Sequence, residues 1–105
     1  MHKRDFTISL TGEDTIYVLM EKENGSIKRL AIVYIALIGR KYCQIMRVDG
    51  SHGALHKDKL YEKNSLQKEI IHSNIDNKLI ESIIDEIKEN WKEMRRKFIE
   101  KMQGE

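Results

Sequence analysis

The order of apolar and polar positions divides the chain into two parts. Residues 5 to about 72 show short apolar runs with strand-like alternation, whereas residues 74 to about 103 carry apolar side chains at the spacing of one helical face. We therefore predict an α+β fold with a single domain over residues 1–105. In this fold an antiparallel β-meander of four to six strands packs one long C-terminal α-helix on one face.

Turn-forming residues separate the predicted strands. Asn24-Gly25 between two apolar runs is typical of a two-residue hairpin, since both central positions need positive φ. Gly39-Arg40 indicates a second tight turn, and Asn64-Ser65 indicates a third in a weaker hairpin. The predicted strands cover residues 5–10, 15–23, 27–38 and 41–49, and the weaker hairpin covers 60–71.

The two tight turns also predict a register, provided that no bulge intervenes. The first would place Leu19 opposite Leu30, and the second would place Tyr34 opposite Ile45 and Ile32 opposite Arg47. Residues directly opposite each other share a face of the sheet. The helix is expected on the aliphatic face, made of Val18, Met20, Val33, Ile35, Leu37, Met46 and Val48. The other face would hold Tyr17, Leu19, Ile32, Tyr34, Cys43, Ile45, Arg47 and Asp49.

The helix has recognisable ends. Ser73 and Asp76 resemble a capping box, and Gly104 lies where a C-terminal glycine is expected. Basic residues cluster late in the helix, which suits its dipole. We interpret them as a solvated helix end, with phosphate contact as the alternative. They are Lys92, Arg95, Arg96, Lys97 and Lys101.

The third strand, "LAIVYIALI", is apolar on both faces, although one helix covers only one of them. We expect the second face to be buried in a homodimer, because large exposed apolar patches are uncommon on monomers. The alternative is a sheet that curls enough to cover itself.

Composition adds few constraints. The chain has 105 residues, a net charge of +2 and a single cysteine, Cys43, which excludes an internal disulfide. The mildly basic balance permits a nucleic-acid partner without requiring one. No signal peptide or membrane-spanning run is present in the sequence, so we expect a cytoplasmic protein without membrane contact.

The segment "RVDGSHGALHKD", residues 47–58, differs from the rest of the chain, and we expect a polar loop there. Three hypotheses remain open. His52 and His56 bind zinc together with Asp49 or Asp58. Alternatively the two histidines form a metal-free acid/base pair, with Arg47 and Lys57 holding an anion. In the third hypothesis the loop is only structural, and its Arg–Asp pair closes the end of a strand.

This segment, followed at a distance by "ENWKEMRRKFIEKM", resembles a group of small bacterial and archaeal proteins. They share a strand ending in Arg-x-Asp, a His-Gly-x-x-His loop and a C-terminal helix with a tryptophan and a basic-aromatic end. The resemblance implies a toxin component of a toxin–antitoxin pair with an RNase role. Leu55 replaces the proline expected before the second histidine. The matching positions are Arg47, Asp49, His52, Gly53, His56, Trp91, Arg95 and Phe98.

Our working hypothesis is a metal-independent ribonuclease-like toxin component without a cofactor. His52 and His56 would be the acid/base pair, with Arg47 and Asp49 in the same catalytic set. Substrate-binding residues would be Lys57, which holds phosphate, and Tyr17 and Tyr34, which stack bases. The expected partners are a second copy, RNA and a small antitoxin protein. The alternative is a non-enzymatic dimeric interaction module that binds a protein partner through the tyrosine-bearing face.

Overall fold

A computed structural model describes residues 2–51, 53–63 and 68–104 of the chain. Its sheet has six antiparallel strands in chain order, and one long helix packs against it. The α+β fold with a C-terminal helix on one face is therefore confirmed. The elements are β1 (His2–Ser9), β2 (Asp14–Glu23), β3 (Ser26–Ile38), β4 (Lys41–Ser51), β5 (Ala54–Lys59), β6 (Lys68–Ile71) and α1 (Asn77–Gln103).

The hairpin between β2 and β3 has the predicted turn. Asn24 and Gly25 both have positive φ, at 52° and 78°, as a type I′ turn requires. The predicted register, however, holds only beside the two turns. Lys28 is an extra residue in β3, and Ile45 is an extra residue in β4, so each strand pair shifts by one beyond these bulges.

The two bulges change which side chains face the helix. Beyond them Met20 lies opposite Leu30, and Tyr34 lies opposite Met46. A shift of one residue moves every side chain to the other face, so the predicted faces are wrong along most of β3 and in the first half of β4. Ile32, Tyr34, Cys43 and Ile45 belong to the helix side, whereas Val33, Ile35 and Leu37 belong to the other side.

The helix begins three residues later than predicted. Asp76 is its N-cap and accepts a hydrogen bond from the backbone N–H of Leu79, so the capping role assigned to Ser73 is wrong. Gly104 ends the helix at the expected position. The buried stripe of α1 packs against β2 to β5 in one core. The stripe has the 3.6-residue period that the sequence predicts. The helical core residues are Ile80, Ile83, Ile84, Ile87 and Met94.

The described residues of the polar segment 47–58 belong mainly to strands and not to a loop. They include the end of β4 and all of β5 except its last residue, and the two strands pair from Met46–Lys59 to Ser51–Ala54. The later hairpin is also different, because β6 pairs back onto β5. The predicted turn at Asn64-Ser65 lies outside the described residues.

Candidate functional site

One face of the sheet carries no helix, and we call it the open face. Its central residues are Tyr17 and Leu19 of β2, Ala31 and Val33 of β3, Arg47 and Asp49 of β4, and His56 and Asp58 of β5. The helix packs against the opposite face, and no other element in the described part of the chain packs on the open face. This surface holds four of the seven predicted site residues, namely Tyr17, Arg47, Asp49 and His56.

Two rows of residues cross the open face perpendicular to the strands. Directly paired positions lie side by side on one face, so the register defines each row. The first row runs through Asp5, Leu19, Ala31, Asp49, His56 and Ile70. The second row runs through Thr7, Tyr17, Val33, Arg47, Asp58 and Lys68.

Arg47 and Asp49 form an ion pair within β4. The guanidinium donates two hydrogen bonds to Asp49 Oδ2, from Nε at 3.1 Å and from Nη2 at 2.7 Å. Positions two apart in a strand point the same way, as the sequence predicts. The pair is partly exposed, so both charges are accessible from the open face.

His56 is exposed and lies directly opposite Asp49. Its neighbour on the same face, Asp58, lies opposite Arg47 and is 3.9 Å from the ammonium of Lys68. From the sequence, Asp58 has a place only in the zinc hypothesis. The alternation of His56 and Asp58 would have placed both on this face if residues 54–59 had been recognised as a strand. His52, the other member of the predicted histidine pair, lies outside the described residues.

Lys57 does not belong to this surface. It alternates with His56 in β5, and its ammonium contacts both carboxylate oxygens of Glu86 in α1, at 2.6 and 2.9 Å. The structure therefore does not place Lys57 beside His56, as its predicted role in holding a phosphate requires. The sheet lies between these two side chains.

Tyr34 is also placed differently from the prediction. It is fully buried under the helix, and its hydroxyl donates to Asp14 Oδ1 at 2.6 Å. Burial, followed by the carboxylate of Asp14, raises the pKa of Tyr34 far above that of a free phenol. Tyr34 cannot stack a base on the open face, because the displaced register puts it in the core.

Tyr17 does lie on the open face. Its hydroxyl donates to Asp5 Oδ2 of β1 at 3.1 Å, and this hydrogen bond is the main cause that raises the pKa of Tyr17. The hydrogen bond to Asp5 therefore holds the side chain of Tyr17 toward β1, at one end of the two rows. Its predicted contact with a base stays a prediction.

Four of the five basic residues near the end of the helix are committed to polar contacts within the chain. Arg95 donates to the carbonyl of Leu37 at 3.0 Å, and Lys101 donates to the carbonyl of Leu60 at 3.0 Å. The remaining pairs are Arg96 with Glu93 and Glu100, and Lys97 with Glu62. These contacts favour a structural role for the cluster over phosphate contact.

A groove of about 580 Å³ lies between this helix end and the region around β5 and β6. Its charged walls are largely paired, for example Lys59 with Glu69 at 2.6 Å. Tyr61 at its base is buried, with the ammonium of Lys97 5.9 Å from its ring centre. The paired charges leave little unsatisfied polarity to select a ligand.

Charge on the open face is balanced. Basic and acidic side chains occupy it in similar numbers, so it has no large excess of positive charge to attract a polyanion. The basic residues include Lys3, Arg29, Arg47 and Lys68, and the acidic residues include Asp5, Glu21, Asp49 and Asp58.

Two classes of site are absent from residues 2–51, 53–63 and 68–104. Within these ranges no three side chains of His, Cys, Asp or Glu are grouped to hold a metal ion. In the same ranges no helix combines the length and apolar character needed to cross a membrane.

Comparison with known proteins gives a family. No curated protein and no solved structure matches the chain. One family model does match, and it covers residues 1–104, nearly the whole sequence. The chain therefore belongs to the family described as "Domain of unknown function (DUF7718)".

Proposed function

We propose that this protein is an interaction module whose binding surface is the open face of its sheet. The observation that carries the proposal is the composition of the two rows across that face. Leu19, Ala31 and Val33 form an apolar centre without a helix over it, and charged residues of both signs flank it. An apolar core within a polar rim is the anatomy of protein–protein interfaces.

The balance of charge favours a protein partner over a nucleic acid. Nucleic-acid affinity depends on many cations that each neutralise a phosphate. On the open face Arg47 is already neutralised by Asp49, and Lys68 lies near Asp58. Alternating charges instead select a partner with a matching pattern of its own.

Cysteine labelling tests whether the open face is covered. In a Cys43→Ser background, Leu19→Cys places a thiol on the open face, and Glu89→Cys places a control thiol on the exposed side of α1. Labelling rates are compared between intact cells and purified protein diluted to about 0.1 µM, where a complex of micromolar affinity is dissociated. We expect Leu19→Cys to be protected in cells, with equal labelling of Glu89→Cys in both settings. Equal labelling of Leu19→Cys in both settings would overturn the proposal.

One observation favours a second candidate function, RNA cleavage by a toxin component. The exposed imidazole of His56 lies opposite Asp49, which is held by Arg47. A carboxylate beside an imidazole is a common acid/base arrangement. In this proposal a small antitoxin protein would cover the open face and block His56.

The second candidate is tested with mixed single-stranded RNA in EDTA and, separately, in zinc. Cleavage in EDTA that is lost in His56→Ala and His52→Ala, but retained in the exposed control His72→Ala, would support a metal-free site. Cleavage that needs zinc would favour the metal hypothesis. No cleavage by the folded protein would reject the enzyme.

A further inference from the structure

The two rows of the open face are complementary to each other in charge. In β4 the first row holds Asp49 and the second holds Arg47. In β5 the first row holds His56 and the second holds Asp58. A surface whose neighbouring rows complement each other can bind a second copy of itself, because a two-fold axis between the rows exchanges them.

We infer that the open face binds a second copy of this chain, with the two-fold axis crossing the strands between these two rows. This inference rests on the proposed function and names its partner. Arg47 then faces the partner's Asp49, and Asp49 faces the partner's Arg47. The two ion pairs meet around the axis as a ring of alternating charges.

The same axis matches the other positions. His56 faces the partner's Asp58, Leu19 faces the partner's Tyr17, and Ala31 faces the partner's Val33. Packed sheets are about 10 Å apart, a distance that facing arginine and aspartate side chains span together. Leu19 and Ala31, which are partly exposed in the single chain, are thus covered. Arg47 and Asp49 meet opposite charges and Asp58 meets the imidazole of His56, whereas Lys68 at the edge of the sheet lies over the partner's Ile70.

The other simple symmetric arrangement, with the axis along the strands, is less favourable. It would keep each row over itself and exchange β2 with β4. Leu19 would then lie over the partner's Asp49, which would bury a carboxylate against an aliphatic side chain without adding a partner for it. Of the two arrangements, only the axis across the strands places Arg47 and Asp49 opposite the partner's Asp49 and Arg47, and for that reason we choose it.

The face is large enough for a dimer interface at the lower end of the standard range. Six strands span about 24 Å, from five spacings of about 4.8 Å, and an eight-residue strand is about 26 Å long. Because β5 and β6 have only six and four residues, the face covers about 600 Å², against roughly 800 Å² per partner in a standard interface.

The first experiment measures mass by analytical ultracentrifugation of the full chain. We expect wild-type protein to reach twice the chain mass of 12.4 kDa between about 1 and about 500 µM. R47D and D49R should each raise the dissociation constant about a hundredfold or more, because each creates like-charge contacts twice in the symmetric dimer. E89R, a charge reversal on the exposed side of α1, should leave it unchanged.

The second experiment mixes the two single variants. R47D carries two acids at these positions and D49R carries two bases, so an equimolar mixture should form heterodimers with near wild-type affinity. The double variant R47D/D49R should also dimerise, since it reverses the polarity of the ring. Its acid at position 47 lies opposite Asp58 of the same chain, so its folding is checked before its association. Circular dichroism checks that each variant is folded. If a charge reversal unfolds the chain, the neutral single variants R47Q and D49N replace it.

Three results would overturn the inference. They are wild-type protein that stays monomeric throughout the range, single variants that dimerise normally, and mixed variants that do not associate. A monomeric wild type whose Leu19→Cys thiol is nevertheless protected in cells would reject only the second copy, because a different protein would then cover the face. A monomer without that protection would reject the proposed function as well.

Discussion

Tyr34 donates a hydrogen bond to Asp14 inside the core, with 2.6 Å between the phenol oxygen and Oδ1. Thr11 donates to the other carboxylate oxygen at 2.6 Å, and Arg95 Nε lies 3.5 Å from Oδ1. Asp14 is only 2% exposed. The buried carboxylate at the start of β2 thus joins the β1–β2 connection, the middle of β3 and the helix. The hydroxyls of Thr11 and Tyr34 donate hydrogen bonds to it, and the guanidinium of Arg95 balances its charge.

Replacing Asp14 with alanine should destabilise the fold strongly. The substitution removes the acceptor for Tyr34 and Thr11 and the charge partner of Arg95, so we expect a loss of about 2–4 kcal/mol in the free energy of unfolding. Urea denaturation measures the change. Glu13→Ala is the control, because Glu13 also contacts Arg95 at 3.3 Å but is mostly exposed, and it should cost less than about 1 kcal/mol. Equal losses in the two variants would contradict a special role for the buried carboxylate.

The buried phenol of Tyr34 should make stability depend on alkaline pH. Its pKa in the folded state is raised by burial and by Asp14, whereas in the unfolded chain it is near 10. The stabilising contribution is therefore complete below about pH 10 and is lost as pH rises above that value, by up to about 1.4 kcal/mol per pH unit for this group.

Tyr34→Phe removes this proton-linked term. The free energy of unfolding of Tyr34→Phe should be lower than that of wild type near neutral pH but should fall less steeply between about pH 9.5 and 11. Tyr42→Phe is the matched control, since Tyr42 is 77% exposed. Parallel pH curves for wild type and Tyr34→Phe would show that the phenol ionises equally easily in both states.

Much of the fold could be predicted from periodicity and turn chemistry. The helical stripe, the Asn24-Gly25 turn and the meander order all follow from local patterns. The faces of β3 could not be predicted, because the bulges at Lys28 and Ile45 have no local signal. One extra residue in a strand moves every later side chain to the opposite face of the sheet, so two unpredicted bulges changed the faces of most of β3.

The candidate site could be predicted only in part, because some of its residues depend on the same strand register. Arg47 and Asp49 share a face whatever the register, because they lie two apart in one strand. Lys57 and Tyr34 were misplaced because their positions depended on a loop that is a strand and on a register without bulges. Asp14 was missed because only the tertiary structure brings Tyr34 and Arg95 to it.

Lys57 should behave as a structural residue. Lys57→Met keeps the unbranched stem while removing the charge, and Glu86 remains partly exposed to water, so we expect a loss of about 1 kcal/mol or less. Lys57→Glu places two carboxylates together under the helix and should cost about 2–4 kcal/mol.

The control for Lys57 is Lys59→Glu, which breaks the more exposed pair with Glu69 and should cost about 1 kcal/mol. Urea denaturation measures stability, and sedimentation measures association. Lys57→Met should leave association unchanged, because the side chain lies on the helix side of the sheet. A defect in association with wild-type stability would mean that Lys57 reaches the open face.

Gly50 is the position where the β4–β5 hairpin tolerates no side chain. A Cβ atom there would lie 2.3 Å from the carbonyl oxygen of Ala54 and 3.0 Å from the Cα of Leu55. Both are backbone atoms of the paired strand, so rotating a side chain cannot relieve the clash. We expect Gly50→Ala to lower the free energy of unfolding by about 2–4 kcal/mol.

The control for Gly50 is Gly12→Ala, since a Cβ at Gly12 meets no atom within 4 Å, and the free energy of unfolding should change by about 0.5 kcal/mol or less. Thermal unfolding followed by circular dichroism compares the two variants. The paired strands that Gly50 allows to approach also set His56 opposite Asp49. Gly50→Ala should therefore weaken self-association even below its melting temperature, whereas Gly12→Ala should not. If Gly50→Ala kept wild-type stability and wild-type association, β4 and β5 would be able to move apart at little cost in free energy. The arrangement of the two rows on the open face would then have no structural support.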